Sequence, residues 1–417
     1  MSSPADRLTP YIPEDPSGSL SELGVGVLQG AAALGGSLRP ELRRPLAAAL
    51  RQMNGYYSNL IEGHNTHPVD VERALRRDYA ADPAERALQL EALAHLEVQE
   101  LIDRRLEAEP ALDPTAPAFL EWIHGEFYHR MPAEFRGLAA PDGTRIEVEP
   151  GRLRDRQVAI QDHLPPEPEE LRTFLERFQQ EYSPDRLGGA AQRVVAAAAA
   201  HHRLSWIHPF LDGNGRVCRL FTHAYLSRCG VDGHGLWTMS RGLGRNRSAY
   251  FAALNAADSP RQGDLDGRGN MSNARLVAFC RFFLETATDQ IDFMAGLLEL
   301  AGLEARLGGY VERLVSRREL RREAGRLLLD VLARGEVQRG EAARITGTGE
   351  RVGRSIVSEL VARGLLQSST PKGPLCLGFP AETVPYFFPK LYPAEVEMAS
   401  EELARRHPAG PRRGPAR

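Results

Sequence analysis

Apolar residues recur at helical spacing along most of this chain. Between residues 83 and 107, Leu88, Leu90, Leu93, Leu96, Val98 and Leu101 mark one face of a long helix. The same period predicts a helical stretch over 23–60, broken at Gly35-Gly36 and restarted near Arg39-Pro40, and helices over 68–79 and 118–131. Further on it predicts helices over 167–182, with Leu171, Phe174, Leu175 and Phe178 inward, and over 190–205, 216–229 and 274–300. The alanine run 196–200 makes the second of these slim enough for neighbours to approach closely. Only residues 139–166 change rhythm. Asp142-Gly143 is a hairpin-type turn. Ile146 and Val148, then Leu153, Val158 and Ile160, alternate with polar residues as short strands do. The fold expected is mainly α, with one short β-hairpin.

Past residue 317 the pattern gives a helix over 321–333, a short helix over 339–345, a turn over 346–349 and a helix over 350–363. Val352, Ile356, Val357, Leu360 and Val361 face inward, and Arg351, Arg354, Ser355 and Ser358 outward. Two short strands, 365–369 and 375–377, flank Pro371-Lys372-Gly373-Pro374. This order resembles a winged helix-turn-helix, whose exposed helix reads DNA or contacts protein, including a homodimer partner. The sequence leaves these uses open, because the basic patch is thin. The domain organisation expected is an extended arm over 1–20, a helical region over 21–135, a core over 136–305, the winged unit over 317–380 and a tail over 381–417. Residues 407–417, rich in Pro, Gly and Arg, are expected to be disordered.

The chain has 417 residues, of which 26% are charged, and a net charge of −3. No global field draws it to nucleic acid or membrane. No apolar run is long enough to span a bilayer, and no secretory signal pattern opens the chain. Four scattered cysteines without framework spacing suit a reducing compartment. The expectation is a cytoplasmic protein.

The chemistry concentrates between Ser205 and Leu220. His208 alone there titrates near neutrality, so it can take a proton from a hydroxyl. Asp212 is a hard oxygen ligand of the kind that holds Mg2+ already bound to phosphates. Gly213-Asn214-Gly215 can turn successive backbone N–H groups into one concavity at a helix N-terminus, which attracts anions. Arg216 and Arg219, three apart, share a helix face beside it and suit a polyphosphate. No Lys-Ser or Lys-Thr follows the glycines, which excludes a Walker-type loop. His201, His202, His208 and His223 lack zinc-site spacing.

These residues resemble the signature of the Fic family, HPFx[DE]GNGRxxR, at every fixed position. Ser58-x-x-x-Glu62-Gly63 resembles the family's inhibitory motif, [ST]xxxE[GN]. Ser58 and Glu62, four apart, project from one helix face, and Gly63 is a helix C-cap. A carboxylate there meets the negative end of the helix dipole and needs a cation. In the family that cation is the second arginine of the signature, here Arg219. Residues 151–166 resemble the family's flap, implicating Leu153, Arg154, Val158 and Ile160 in docking a target. Asn246-Arg247-x-x-Tyr250-Phe251-x-x-Leu254 resembles the family's NRxxYYxxL, with Phe251 replacing the second tyrosine, and implicates Asn246 and Tyr250 in holding the base.

The resemblance covers roughly residues 20–300. It implies a protein adenylyltransferase that moves AMP from ATP to a Ser, Thr or Tyr hydroxyl of a protein, itself included. His208 is then the base and Asp212 the magnesium ligand. Gly213, Asn214, Gly215, Arg216 and Arg219 bind the nucleotide, while Glu62 competes for Arg219. Two alternatives stay open: a transcription regulator acting through 317–380 with a self-modifying Fic domain, and a Fic enzyme that removes AMP.

Overall fold

The structure is a computed structural model, and it describes residues 3–139, 143–160 and 163–396. Residues 19–316 are almost wholly helical. The helices are α1 (Ser19–Ser37), α2 (Pro40–Ile61), α3 (Pro68–Leu75), α4 (Pro83–Ala108), α5 (Pro117–His129), α6 (Leu171–Tyr182), α7 (Ala190–Ile207), α8 (Asn214–Arg228), α9 (Met239–Arg245), α10 (Arg247–Ala257), α11 (Asn273–Leu297) and α12 (Leu300–Ser316). Local signals set several of their ends. Asp82 caps α4 by accepting from the N–H groups of Ala84 and Glu85, and Pro83 follows at the first helical position. Gly63, at φ +90°, ends α2, with His64 N donating to Asn59 O at 2.9 Å.

α7 is the central helix. Ala196 to Ala200 are all buried, and α1, α6, α8 and α11 pack around it. α8 leaves its end and runs against α4 and α5, while α2 lies across α4 and α9. The site thus has three rigid walls: the α7–α8 junction, α5 and the end of α2. Among the described residues, no helix is long and apolar enough to cross a membrane.

β1 (Gly137–Ala139) and β2 (Arg145–Glu147) pair antiparallel, with Leu138 opposite Ile146. Of the expected hairpin turn, Asp142 lies outside the described residues. The strands expected through Leu153, Val158 and Ile160 do not form. That segment is held by side chains and by one bridge, Ile160 to His163. It carries too few consecutive ladder partners to pair as a strand.

The last part holds α13 (Arg322–Arg334), α14 (Ala342–Thr346), α15 (Glu350–Ala362) and α16 (Val384–Phe387). β3 (Glu336–Val337), β4 (Leu366–Gln367) and β5 (Leu375–Leu377) form an antiparallel sheet ordered β3-β5-β4. Val352, placed inward by the period, is 39% exposed, whereas Ile356, Val357 and Leu360 are buried.

Three further expectations differ. α1 runs through Gly35-Gly36, because Gly35 is buried against His234, where a side chain would be crowded. The arm over 1–20 is not a free extended segment. Ala5, Leu8 and Tyr11 are buried, and Pro10 O accepts a 2.7 Å bond from buried Arg203. Residues 381–396 fold back on the helices instead of trailing away. Tyr57 Oη donates to Leu391 O at 3.0 Å, and Arg241 donates to Leu391 O and Lys390 O at 3.1 and 2.7 Å. Tyr392 packs edge-on against Tyr56, 5.2 Å between centroids. The tail expected to be disordered, 407–417, lies outside the described residues.

Candidate active site

α7 stops at His208, which takes left-handed backbone angles, φ 48° and ψ 62°. Residues with a Cβ seldom adopt that region. Here it turns the chain out of α7 and into the loop leading to α8. Phe210, fully buried, anchors the loop by stacking on His124 of α5 at 4.1 Å. Asn214 closes the loop from inside. Its amide accepts from Phe210 N at 2.9 Å and donates to Phe210 O at 2.8 Å. The Asn214 side chain is therefore spent on the loop, which leaves its backbone N–H for the expected phosphate contact. Gly213 opens α8 at φ +76°, and a Cβ there would lie 2.8 Å from the Tyr128 ring. Glycine is thus required by both angle and space.

Tyr128 was not singled out by the sequence, yet its hydroxyl donates to Asp212 Oδ2 at 2.7 Å. It orients the carboxylate that the sequence offered to a metal. Its signal in the chain is an unremarkable aromatic near the end of a predicted helix.

The two signature arginines are both buried on α8. Arg216 Nη2 lies 3.2 Å from Glu91 Oε2 of α4 and 3.3 Å from His64 Nδ1, which itself lies 2.6 Å from Glu91. The hydrogen bond that His64 gives to Glu91 lifts the His64 pKa above its usual range. Neither Glu91 nor His64 was predicted. Arg219 donates from Nε to Ser58 Oγ at 2.8 Å, and from Nη2 to Ser58 O at 3.0 Å and Glu62 Oε1 at 2.6 Å. The Arg219 side chain is 2% exposed and that of Glu62 32%. Burial pushes the Glu62 carboxyl up, but Arg219 and Arg216 more than offset it, and its pKa lies below the usual carboxylate range. A Cβ on Gly215 would collide with Glu62 Oε1, so the carboxylate lies directly over the first turn of α8. A helix N-terminus attracts negative charge at that place.

His208 is half-buried, and burial, aided by Arg154 and His163, lowers its pKa to about 4. The imidazole is neutral at pH 7 and free to accept a proton.

The flap residues divide. Leu153, Val158 and Ile160 are half-buried at the edge of the site. Arg154 is 4% exposed and cannot meet a target. Its Nε donates to His208 O at 2.9 Å and its backbone N to Pro209 O at 3.0 Å. The expected base-binding pair is not brought together either. Asn246 is exposed, whereas Tyr250 is buried with its hydroxyl 2.7 Å from His201 Nε2. Four residues apart on paper, they fall on either side of the start of α10, where Asn246 leaves helical angles.

Residues 115–226 match the Fic/DOC family. Over that stretch the chain is similar to a Fic domain. A protein adenylyltransferase Fic from Nematostella vectensis is 34% identical over 175 residues, 42% of this chain and 37% of that protein. One from Drosophila erecta is 39% identical over 83 residues, 20% of this chain and 17% of that protein. The chain covers well under half the length of these curated relatives. Among solved structures, a Fic family protein from Desulfovibrio desulfuricans G20 superposes with a TM-score of 0.51, covering 88% of this chain and 98% of that one at 16% identity. A Fic-1 segment from C. elegans gives a TM-score of 0.50 over 68% and 74% at 18% identity. At such identities the likeness is one of fold. It extends beyond the matched stretch to a larger helical frame of the same kind.

Proposed function

We propose that this protein transfers AMP from ATP to a hydroxyl of a protein substrate, and that Glu62 holds the activity down by occupying Arg219. The observation that carries the reading is the grouping of a neutral His208, Asp212 and two buried arginines around the N-terminus of α8. The name borne by the curated relatives, protein adenylyltransferase Fic, supports it.

In this reading the ATP phosphates lie on the N–H groups of the first turn of α8, beside Gly213 and Gly215, with Arg216 and Arg219 along them. His208 takes the proton of the substrate hydroxyl as its oxygen bonds to the α-phosphorus. The bond to pyrophosphate breaks, and the negative charge leaves with it. Holding both partners in line supplies much of the acceleration, and the base typically contributes about 10²–10⁴-fold. The γ-phosphate needs the guanidinium that Glu62 now holds. Val158 and Ile160, at the flap edge, would take an extended peptide and present its hydroxyl.

Magnesium fits the donors present. Among the described residues, no group of three or more His, Cys, Asp or Glu side chains converges as a cage. The ion would therefore be held by Asp212, oriented by Tyr128, and by the phosphates it arrives with. Bound there, it would neutralise charge on the phosphates.

The test is labelled ATP incubated with lysate and wild type, Glu62→Gly or His208→Ala. Label on protein, raised in Glu62→Gly and absent in His208→Ala, is expected. Equal labelling in all three would end the reading.

For residues 317–380 we propose a winged helix, supported by the order α13, β3, α14, α15, β4, β5 and by the sheet in which β3, β5 and β4 pair. If it reads DNA, an electrophoretic shift should be lost in Arg351→Ala with Arg354→Ala. A cytoplasmic location belongs to the same proposal and is supported by four cysteines present as free thiols.

A further inference from the structure

We propose that Arg154 and His163 are positioning residues for His208, so that the flap acts as the brace of the catalytic base as well as the edge on which a target would lie. The inference rests on the transferase reading above. It starts from the cost of the His208 conformation. A left-handed histidine at a helix end leaves the last carbonyls of α7 without partners in the helix and must be held from outside. The flap supplies the partners. His163 Nε2 lies 2.7 Å from Trp206 O, Arg154 Nε donates to His208 O at 2.9 Å, and Arg154 N donates to Pro209 O at 3.0 Å. Three carbonyls in a four-residue stretch, centred on the base, are thus tied to one neighbouring segment.

The rest of the Arg154 guanidinium is turned back into the flap. Nη1 donates to Arg156 O at 3.1 Å and to Gln157 Oε1 at 2.9 Å, and Nη2 donates to Pro166 O. Its recorded hydrogen bonds all go to carbonyl-type acceptors, and the side chain is 4% exposed. A buried guanidinium used in this way is a rigid bracket with its donors in a fixed fork. It fixes the distance between the flap's own loop and the backbone of the base. His163 repeats the arrangement two residues earlier, at Trp206, and its ring lies 5.1 Å from that of Trp206. The target edge at Val158 and Ile160 lies between these two ties in sequence. A substrate backbone laid along that edge would therefore be registered against His208 by the same residues. Both residues act through His208, so their loss should be read in turnover and not in nucleotide affinity.

The experiment measures kcat, KM for ATP and calorimetric ATP affinity for Arg154→Ala, Arg154→Lys and His163→Ala, each alone and with Glu62→Gly, beside His208→Ala. Folding is checked by thermal melting. The expected result is a kcat at least about tenfold lower for Arg154→Ala, with ATP affinity within about twofold, because a small displacement of a positioned group costs turnover first. Arg154→Lys, which keeps the charge and a single donor nitrogen, should recover part of the loss. His163→Ala should show a smaller fall of the same kind. If Arg154→Ala does not fold, His163→Ala and Arg154→Lys carry the test. Unchanged kcat in the folded variants, or a loss confined to ATP affinity, overturns the brace. Activity surviving in His208→Ala would instead overturn the transferase reading itself.

Discussion

Arg219 and Glu62 meet across 2.6 Å, and the same guanidinium is held from the other side by the hydroxyl and carbonyl of Ser58. One turn of α2 thus supplies three acceptors to one arginine. A hydrogen bond to a charged group contributes about 1.5–3 kcal/mol, roughly 10–100-fold in an equilibrium. Glu62→Gly is expected to raise AMP transfer by about that factor. Arg219→Ala should stay poor even when combined with Glu62→Gly, because it also loses the γ-phosphate contact. Initial rates with labelled ATP across the two single variants and the double check this.

The burial that lowers the His208 pKa to about 4 sets the acid limb of the reaction. The base form persists down to that pH. In Glu62→Gly, kcat/KM should stay level from neutral pH to about pH 5 and fall below. An acid limb near 6.5, where an ordinary histidine titrates, would show that His208 is not held down by its surroundings.

Among the described residues four other histidines have depressed pKa values, with burial as the leading cause in each: His95 and His201 lie at about 3, His124 at about 4, and His202 is lowered too. The unfolded chain protonates them near 6.5, while the folded chain resists. Stability is then fully present above about pH 6.5 and is lost as pH falls toward 4. His64 and His223, whose pKa values are raised, oppose the trend. The melting temperature should fall steadily between pH 7 and pH 4.5. His95→Leu, which removes a fully buried imidazole, should flatten that slope. A slope identical to wild type would refute its contribution.

Tyr128→Phe leaves the ring under Gly213 and removes only the donor to Asp212. A buried bond of this kind is worth about 1 kcal/mol. Stability should drop by about that amount, and half-saturation with magnesium should move to higher concentration. An unchanged magnesium titration would mean that Asp212 needs no orienting.

Tyr392→Ala should empty the contact behind Tyr56 and Tyr57. Aromatic-to-alanine changes in a core cost about 3–5 kcal/mol. The melting temperature should fall, and AMP transfer should rise toward that of Glu62→Gly, since Ser58 directly follows Tyr57. Transfer equal to wild type, despite the lower melting temperature, would show that the segment adds stability only.

The helices and the signature loop were legible because both rest on local rules. The 3.6-residue period names the buried face of α6, but in α4 only Leu96 and Val98 of the expected residues are buried, and the face there runs through Gln89, Ala92, His95, Gln99 and Ile102; the glycines around Asn214 announce a turn into a helix. Ser58 and Glu62 were legible as a pair because four residues span one helical turn. The remainder depended on partners distant in sequence. Tyr128 reaches Asp212 across 84 positions, and Arg216 meets His64 across 152. Nothing near Arg154 distinguishes an exposed docking arginine from a buried brace until α7 is placed beside it. Asn246 and Tyr250 were paired by the resemblance, and the sequence alone does not show that one is the exposed N-cap of α10 while the other is buried.

The return of residues 381–396 onto α2 has a consequence for the order in which the molecule can be built. Tyr57 and Leu391 are joined across 334 positions. Contacts this far apart close late, because a long loop must be brought together first. A chain emerging from the ribosome can assemble α7, α8 and the loop between them while the far side of α2 is still bare. The helix that carries Ser58 and Glu62 reaches its final surroundings only when residues 381–396 have been made.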